Sequence, residues 1–216
     1  MFVVASDFDI EPYSIPNLDG NNSFATYVAE KEETALREVM GNVMYDDFIA
    51  GIVDAWVQKV TPNGYDIGAQ AAVGNDVWES LTADNVAIVV EGVNWHKVET
   101  DNKWLVLKNG GVYSTSGRWV GMKKLLIPYI YSYWVGDAYD TNSGIGVVKA
   151  KAENATPISP KRRIVRAWNE YVRMVGDTYR WGYNTVNSLY GFVNANSDLY
   201  PDFVFTYPKR MNIFGL

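Results

Sequence analysis

The chain contains no cysteine, which removes disulfides, thiolate metal sites and cysteine nucleophiles together. A single histidine, His96, leaves no route to a multi-histidine metal centre, and any histidine-dependent triad must use it. Gly-x-Ser-x-Gly is absent, as are Gly-x-Gly-x-x-Gly and the Walker pattern, so neither a nucleophile elbow nor a phosphate-cradling loop is encoded. Positive charge is in short supply. The 19 Lys and Arg face 25 Asp and Glu, for a net charge of −6 and a pI near 4.8. That balance argues against a broadly basic nucleic-acid surface and leaves room only for a local patch. No apolar run approaches the roughly 20 residues that cross a bilayer. The longest, 125–135, is short and rich in tyrosine. Residues 1–7 lack the basic start and apolar stretch of a signal peptide, so the expectation is a protein made and used in a cytoplasm, with no membrane partner.

What the chain has is apolar and aromatic bulk. Of 216 residues, 48% are hydrophobic and 20% charged, a balance that suits one sizeable core. There are 8 Trp, 15 Tyr and 8 Phe. Tryptophan and tyrosine bury large areas while keeping one polar tip wet, so they serve equally in a core margin and in an interface. One core of this size holds fewer aromatics than this, and some are expected at a contact with another chain.

Apolar periodicity predicts a helix over about 23–40 and a second over about 42–57, meeting in a tight corner at Gly41-Asn42. Residues 70–81 are ambiguous, with a short helix ending in Trp78 and Leu81 as one reading. Residues 86–115 read as a small β insertion. Val86 to Val90 is β-branched, and Trp95 to Val98 and Trp104 to Leu107 flank a turn at Thr100-Asp101-Asn102. Helical spacing returns over 119–135 with Pro128 inside it, where the helix either kinks or restarts; the unbroken apolar stripe favours a kink. After a loop over 136–158, Ser159-Pro160 opens the longest predicted helix, running to about Asn194, with Gly176 and Gly182 as weak points or close approaches. The expected fold is therefore mainly α. It is a helical bundle with a long C-terminal helix, a β-hairpin insertion at 86–115 and an extended tail at 203–216, all within one domain.

The chemical constellations are thin. Asp140 to Gly144 has the first half of a calcium loop, but Lys151 and Ala152 stand where the closing acid belongs. The alternating Asp7, Asp9 and Glu11 and the adjacent Asp46-Asp47 lack a cleft to work in and read as solvated charge. No catalytic, metal or cofactor-binding residue is assigned, and no cofactor is expected. Lys161, Arg162, Arg163 and Arg166 form a basic cluster at the start of the last helix, either as a solvated face or as a contact for an acidic partner or passing DNA. The tail is apolar without helical period and must be covered, either on its own bundle or on a neighbouring chain. Docking on a neighbour is the favoured expectation, with Tyr207, Arg210, Met211, Ile213 and Phe214 as interface residues.

The order of features resembles the head–tail connector (adaptor) proteins of tailed phages, particularly those infecting Bacteroidetes, including the crAss-like group. The resemblance lies in Leu36-Arg37-Glu38-Val39-Met40-Gly41 closing a helix, followed by Tyr45-Asp46-Asp47-Phe48. It continues through Trp78 and Leu81, and through Gly121-Met122-Lys123-Lys124-Leu125 opening a tyrosine-rich helix. It ends with the run from Thr141 to Val148, the long final helix and the Tyr200-Pro201 stop. Together these span most of the chain. The resemblance implies a non-catalytic virion structural subunit in the neck, assembled in the host cytoplasm. It implies a closed ring of about twelve copies below the portal. Its partners would be the portal protein, tail or further ring proteins, and transiently the genomic DNA in a central channel during ejection. Two other readings stand beside it. One is another virion part, such as a tail-completion or accessory ring protein. The other is a carbohydrate-binding module, suggested by the Trp and Tyr content.

Overall fold

The computed structural model describes residues 2–15, 22–55, 57–59, 63–112, 118–139, 142–143, 146–147, 160–176 and 187–212. Two helices open the fold, α1 (Asn22–Met40) and α2 (Asn42–Gly51). Strands β1 (Gln70–Val73), β2 (Asp76–Ser80) and β3 (Trp95–Glu99) follow, then helix α3 (Lys103–Asn109). A two-stranded ladder, β4 (Gly111–Val112) with β5 (Arg118–Trp119), leads into α4 (Met122–Tyr139). A second ladder pairs β6 (Asn142–Ser143) with β7 (Gly146–Val147). Helices α5 (Lys161–Val175) and α6 (Leu189–Ala195) complete the order.

The expectation of a mainly α bundle is thereby corrected: the fold is mixed, with a three-stranded antiparallel sheet in the order β1-β2-β3 set among the helices. The sheet is also displaced from the predicted insertion. Residues 70–80 form a hairpin rather than a short helix, because Gly74, at φ +64°, opens a two-residue loop that needs positive φ there. Residues 86–90 are not a strand. The segment 104–107 is helical, because Asn102 is an N-cap and not a hairpin turn. Its side chain accepts hydrogen bonds from the Trp104 and Leu105 amides, both at 3.0 Å. That cap, with the helix-forming Leu105 and Leu107, outweighs the β preference of Trp104 and Val106.

The second helix ends at Gly51 rather than near Val57, since residues 52–55 turn extended to reach β1. There the Ala72 amide donates to the Asp54 carbonyl at 2.8 Å. Helix α4 runs on through Pro128. It is buried on nearly every side and pairs most extensively with α5, which makes it the central helix. The predicted long last helix is divided. Gly176 ends α5 at φ +148°, and a Cβ there would come within 2.9 Å of the Tyr190 Cβ. Glycine at this point lets α6 pack against the end of α5. Ser188 then caps α6 by accepting from the Gly191 amide at 3.1 Å.

One main core joins Phe8, Phe24, Leu36 and Phe48 to Leu125, Tyr129, Tyr171 and Phe192. A smaller one, Tyr65, Ala71 and Trp95, lies against the sheet. The aromatic abundance goes largely into these interiors. Tyr129, Tyr133, Trp168 and Tyr171 form a cluster with ring centroids 4.8–6.1 Å apart.

Among the described residues Glu32 is the buried charged side chain, 4% exposed on α1. Its carboxylate accepts from the Phe2 and Val3 amides and so pins the start of the chain to the helix. Burial raises its pKa, against the lowering effect of those two amides. Replacing it with alanine orphans both amides and should cost about 2–4 kcal/mol by chemical denaturation, with glutamine costing less because it keeps one acceptor. The sign with pH follows from the raised pKa. The folded state holds the proton more tightly than the unfolded chain, so Glu32 costs stability as pH rises through that window. Wild type should therefore gain stability relative to the glutamine variant on acidification through that window, widening the gap; a gap constant with pH would contradict it.

Candidate assembly surfaces

The C-terminal segment lies over its own chain as a strap. Phe203 and Phe205 pack at the margin of the main core, and Phe205 meets the Tyr190 ring at 4.7 Å. Tyr207 packs on Phe205 and Tyr190 at 4.3 and 5.7 Å. Its hydroxyl is pushed up to about 12, by partial burial first and then by its bond to the Tyr190 hydroxyl. Beyond it the backbone is held by α5. The Trp168 indole N–H donates to the Lys209 carbonyl at 2.7 Å. The Asn169 amide donates to the Met211 carbonyl at 2.8 Å and accepts from the Met211 amide at 2.9 Å. Asn169 thus offers the tail the donor–acceptor pair that a strand edge would offer. Outward-facing residues remain open: Val204 is 67%, Tyr207 41% and Met211 43% exposed. Of the predicted interface set, Tyr207, Arg210 and Met211 fall on this strap, while Ile213 and Phe214 lie outside the described residues. Lys161, Arg162 and Arg163 are exposed along the first turn of α5, on a different segment from the strap.

A second surface was not anticipated. Ile67, Leu81 and Val93 come together at one end of the sheet, because the Gly68 amide donates to the Ser80 carbonyl and the Leu81 amide to the Asn94 carbonyl, both at 2.9 Å. They are 68%, 45% and 67% exposed, and the same loop carries Ile88 at 67% and Val90 at 55%. This loop is built rather than loose. The Asn85 amide donates to the Ser80 hydroxyl and the Asn94 carbonyl at 2.9 and 2.8 Å, and the Trp95 indole donates to the Ala87 carbonyl at 3.1 Å. The sequence signal was present in the aliphatic run from Val86 to Val90, read there as part of a small β insertion. Among the described residues, the large exposed hydrophobics are aliphatic or Met apart from Tyr207.

A third surface surrounds Lys124, at the start of α4. Lys124 borders several neighbouring clefts, one of about 430 Å³ lined also by Tyr13, Arg118, Pro128 and Arg173, and another of about 350 Å³ lined also by Phe2, Lys108 and Lys123. Lys123 is paired with Asp7 at 2.8 Å, and Arg173 with Glu170. Lys108 stands over the Phe2 ring at 5.7 Å. No acidic side chain pairs with Lys124, Arg118 or Lys108 among the described residues.

The chemical candidates stay dispersed. His96 is largely exposed on β3, 3.3 Å from Glu91. Among the described residues no group of three His, Asp or Glu stands close enough to hold a metal ion, and no helix is long and apolar enough to cross a membrane. Of the half calcium loop, Asn142 and Ser143 are committed to the β6–β7 ladder, and Asp140 lies outside the described residues. Searches for a matching family model, a similar curated protein and a similar solved structure return no match.

Proposed function

We propose that this chain is a structural subunit of a phage virion neck: a head–tail connector that closes with further copies into a ring below the portal and leaves a channel for the genome. The observation that supports this most is the aliphatic end of the sheet. Five large aliphatic side chains sit at or near one end of a hydrogen-bonded loop system, each 45–68% exposed. Exposed apolar groups scattered singly are ordinary, whereas a prebuilt cluster marks a contact surface. The strap adds a second such surface with Val204, Tyr207 and Met211 outward, and a ring subunit needs two different faces for its neighbours. The acidic balance suits a channel past which DNA slides without sticking.

The test is assembly. Native mass measurement and negative-stain imaging of the full chain, alone and with the portal protein of its own virus, should show closed rings. A protein that stays monomeric in both settings would sink the proposal. Removal of residues 206–216, which spares the core-packed Phe203 and Phe205, should weaken ring formation severalfold. The thermal midpoint should move by only a few degrees, since mostly half-exposed contacts are lost. If that truncation unfolds the subunit, the strap belongs to the core and is no docking element.

A further inference from the structure

We infer that the cationic cleft around Lys124 is one half of a head-to-tail contact whose other half is the acidic outer face of α2 on a second copy of this chain. The inference rests on the assembly reading in taking a second copy as the partner, and goes beyond it in naming the two faces. The cationic half consists of Lys124, Arg118 and Lys108, three cations without an acidic partner among the described residues in a chain of net charge −6. Val120, 40% exposed, lies among them. The position is informative. Lys124 occupies the first turn of an 18-residue helix, where the helix dipole disfavours positive charge, and unlike Lys123, which pairs with Asp7, it has no acidic partner among the described residues.

The acidic half has matching chemistry. Arg37 is shared by Glu33 at 2.8 Å and Asp46 at 3.1 Å, which leaves excess negative charge. Asp47 beside them is exposed and has no cationic partner among the described residues. Val43 and Ile49 on the same helix are 65% and 44% exposed. Unpartnered cations dominate one half, where Val120 is exposed and the acids Glu170 and Asp7 are already paired with Arg173 and Lys123; carboxylates outnumber Arg37 on the other, beside exposed Val43 and Ile49. Complementary charge of this kind sets partner orientation and register. Because the two halves are different surfaces of one chain, the contact is heterologous and propagates around a ring. Nucleic-acid phosphate is the competing occupant of the cleft, and the chain's overall negative charge disfavours it.

Charge reversal tests this on the full-length protein. Lys124→Glu with Arg118→Glu makes one variant, and Asp47→Lys the other. All three positions are exposed, and an acid at residue 124 suits the helix start, so the fold should persist, as checked by circular dichroism. Sedimentation should show higher-order assembly for wild type and at least a tenfold weaker association for each variant alone. An equimolar mixture of the two should recover association, since each retains one native face and the two reversed faces are again opposite in sign. If wild type forms rings and both variants form them equally well, this contact is wrong while the assembly reading stands. If wild type never associates at any ionic strength, both fail. If wild type shifts a short DNA duplex and the Lys124→Glu variant does not, with no self-association in either, the cleft is a nucleic-acid face and the inference is overturned.

Discussion

Replacing Trp119 with alanine should lower the thermal midpoint by about 10 °C, from a loss of about 3–5 kcal/mol. Trp119 is fully buried, and its ring stacks on Phe192 of α6 at 6.3 Å. Its indole N–H donates to the Leu107 carbonyl at the end of α3, at 2.7 Å. One side chain therefore ties β5, α3 and α6 together, and all three belong to or border the central core. Alanine leaves a cavity of indole size and an unpaired buried carbonyl, two penalties that add. Phenylalanine fills part of the space and should cost roughly half as much. Both values are read by thermal and denaturant unfolding. A loss below about 1 kcal/mol for the alanine variant would show that the core closes over the gap, and that this junction is not what holds α6 in place.

Above pH 10 the protein should unfold over a narrow interval. Tyr129, Tyr171 and Tyr200 are each at most 3% exposed, and burial above all raises their pKa values well beyond the ordinary phenol value of 10.0. Neighbouring Tyr133 and Glu38 push Tyr129 and Tyr171 further in the same direction. The unfolded chain ionises these phenols near pH 10, and the folded chain does not. Their contribution is thus complete below that pH and is lost as pH rises. Each phenol withdraws about 1.4 kcal/mol per pH unit, so the three together withdraw about 4 kcal/mol per unit. Phenolate absorbance and far-ultraviolet circular dichroism should change together, in one cooperative step. Tyr200→Phe removes one titrating group and also the hydroxyl bond to the Lys103 carbonyl at 2.7 Å; its step should be shallower and start from a lower stability. Phenols that titrate gradually near pH 10 while the helix signal stays native would contradict the burial of these three rings.

Part of this molecule was legible in the residues alone. The stripe from Phe24 to Met40, the break at Gly41 and the stripe through Tyr129 and Tyr133 are local signals, and α1, α4 and the start of α2 follow them, while α2 ends at Gly51, six residues before the expected Val57. The failures have a common form. At 103–107, a stretch holding the β-preferring Trp104 and Val106 became a helix because Asn102 capped it and Leu105 and Leu107 found buried places. At 70–80, the Gly74-Asn75 pair was the hairpin signal, but a weak apolar alternation hid it. At 176, a glycine that could have been a mere weak point ends a helix, because Tyr190 and Phe205 pack against it.

The candidate surfaces divide along the same line. Residue inventory by itself determined what is missing: without cysteine and with one histidine, disulfides, thiolate sites, cysteine nucleophiles and multi-histidine metal centres had no atoms to work with. It also marked the tail as apolar and in need of cover. Only the tertiary structure decided where that cover lies, through Asn169 and Trp168, some 40 residues earlier in the chain. Only it gathered Ile67, Leu81 and Val93 at one end of the sheet, and Lys108, Arg118 and Lys124 around one set of clefts. Composition and period are local properties of a chain and can be read from neighbours a few positions apart. A surface is made of residues that meet only after long loops close, and no local pattern carries that information.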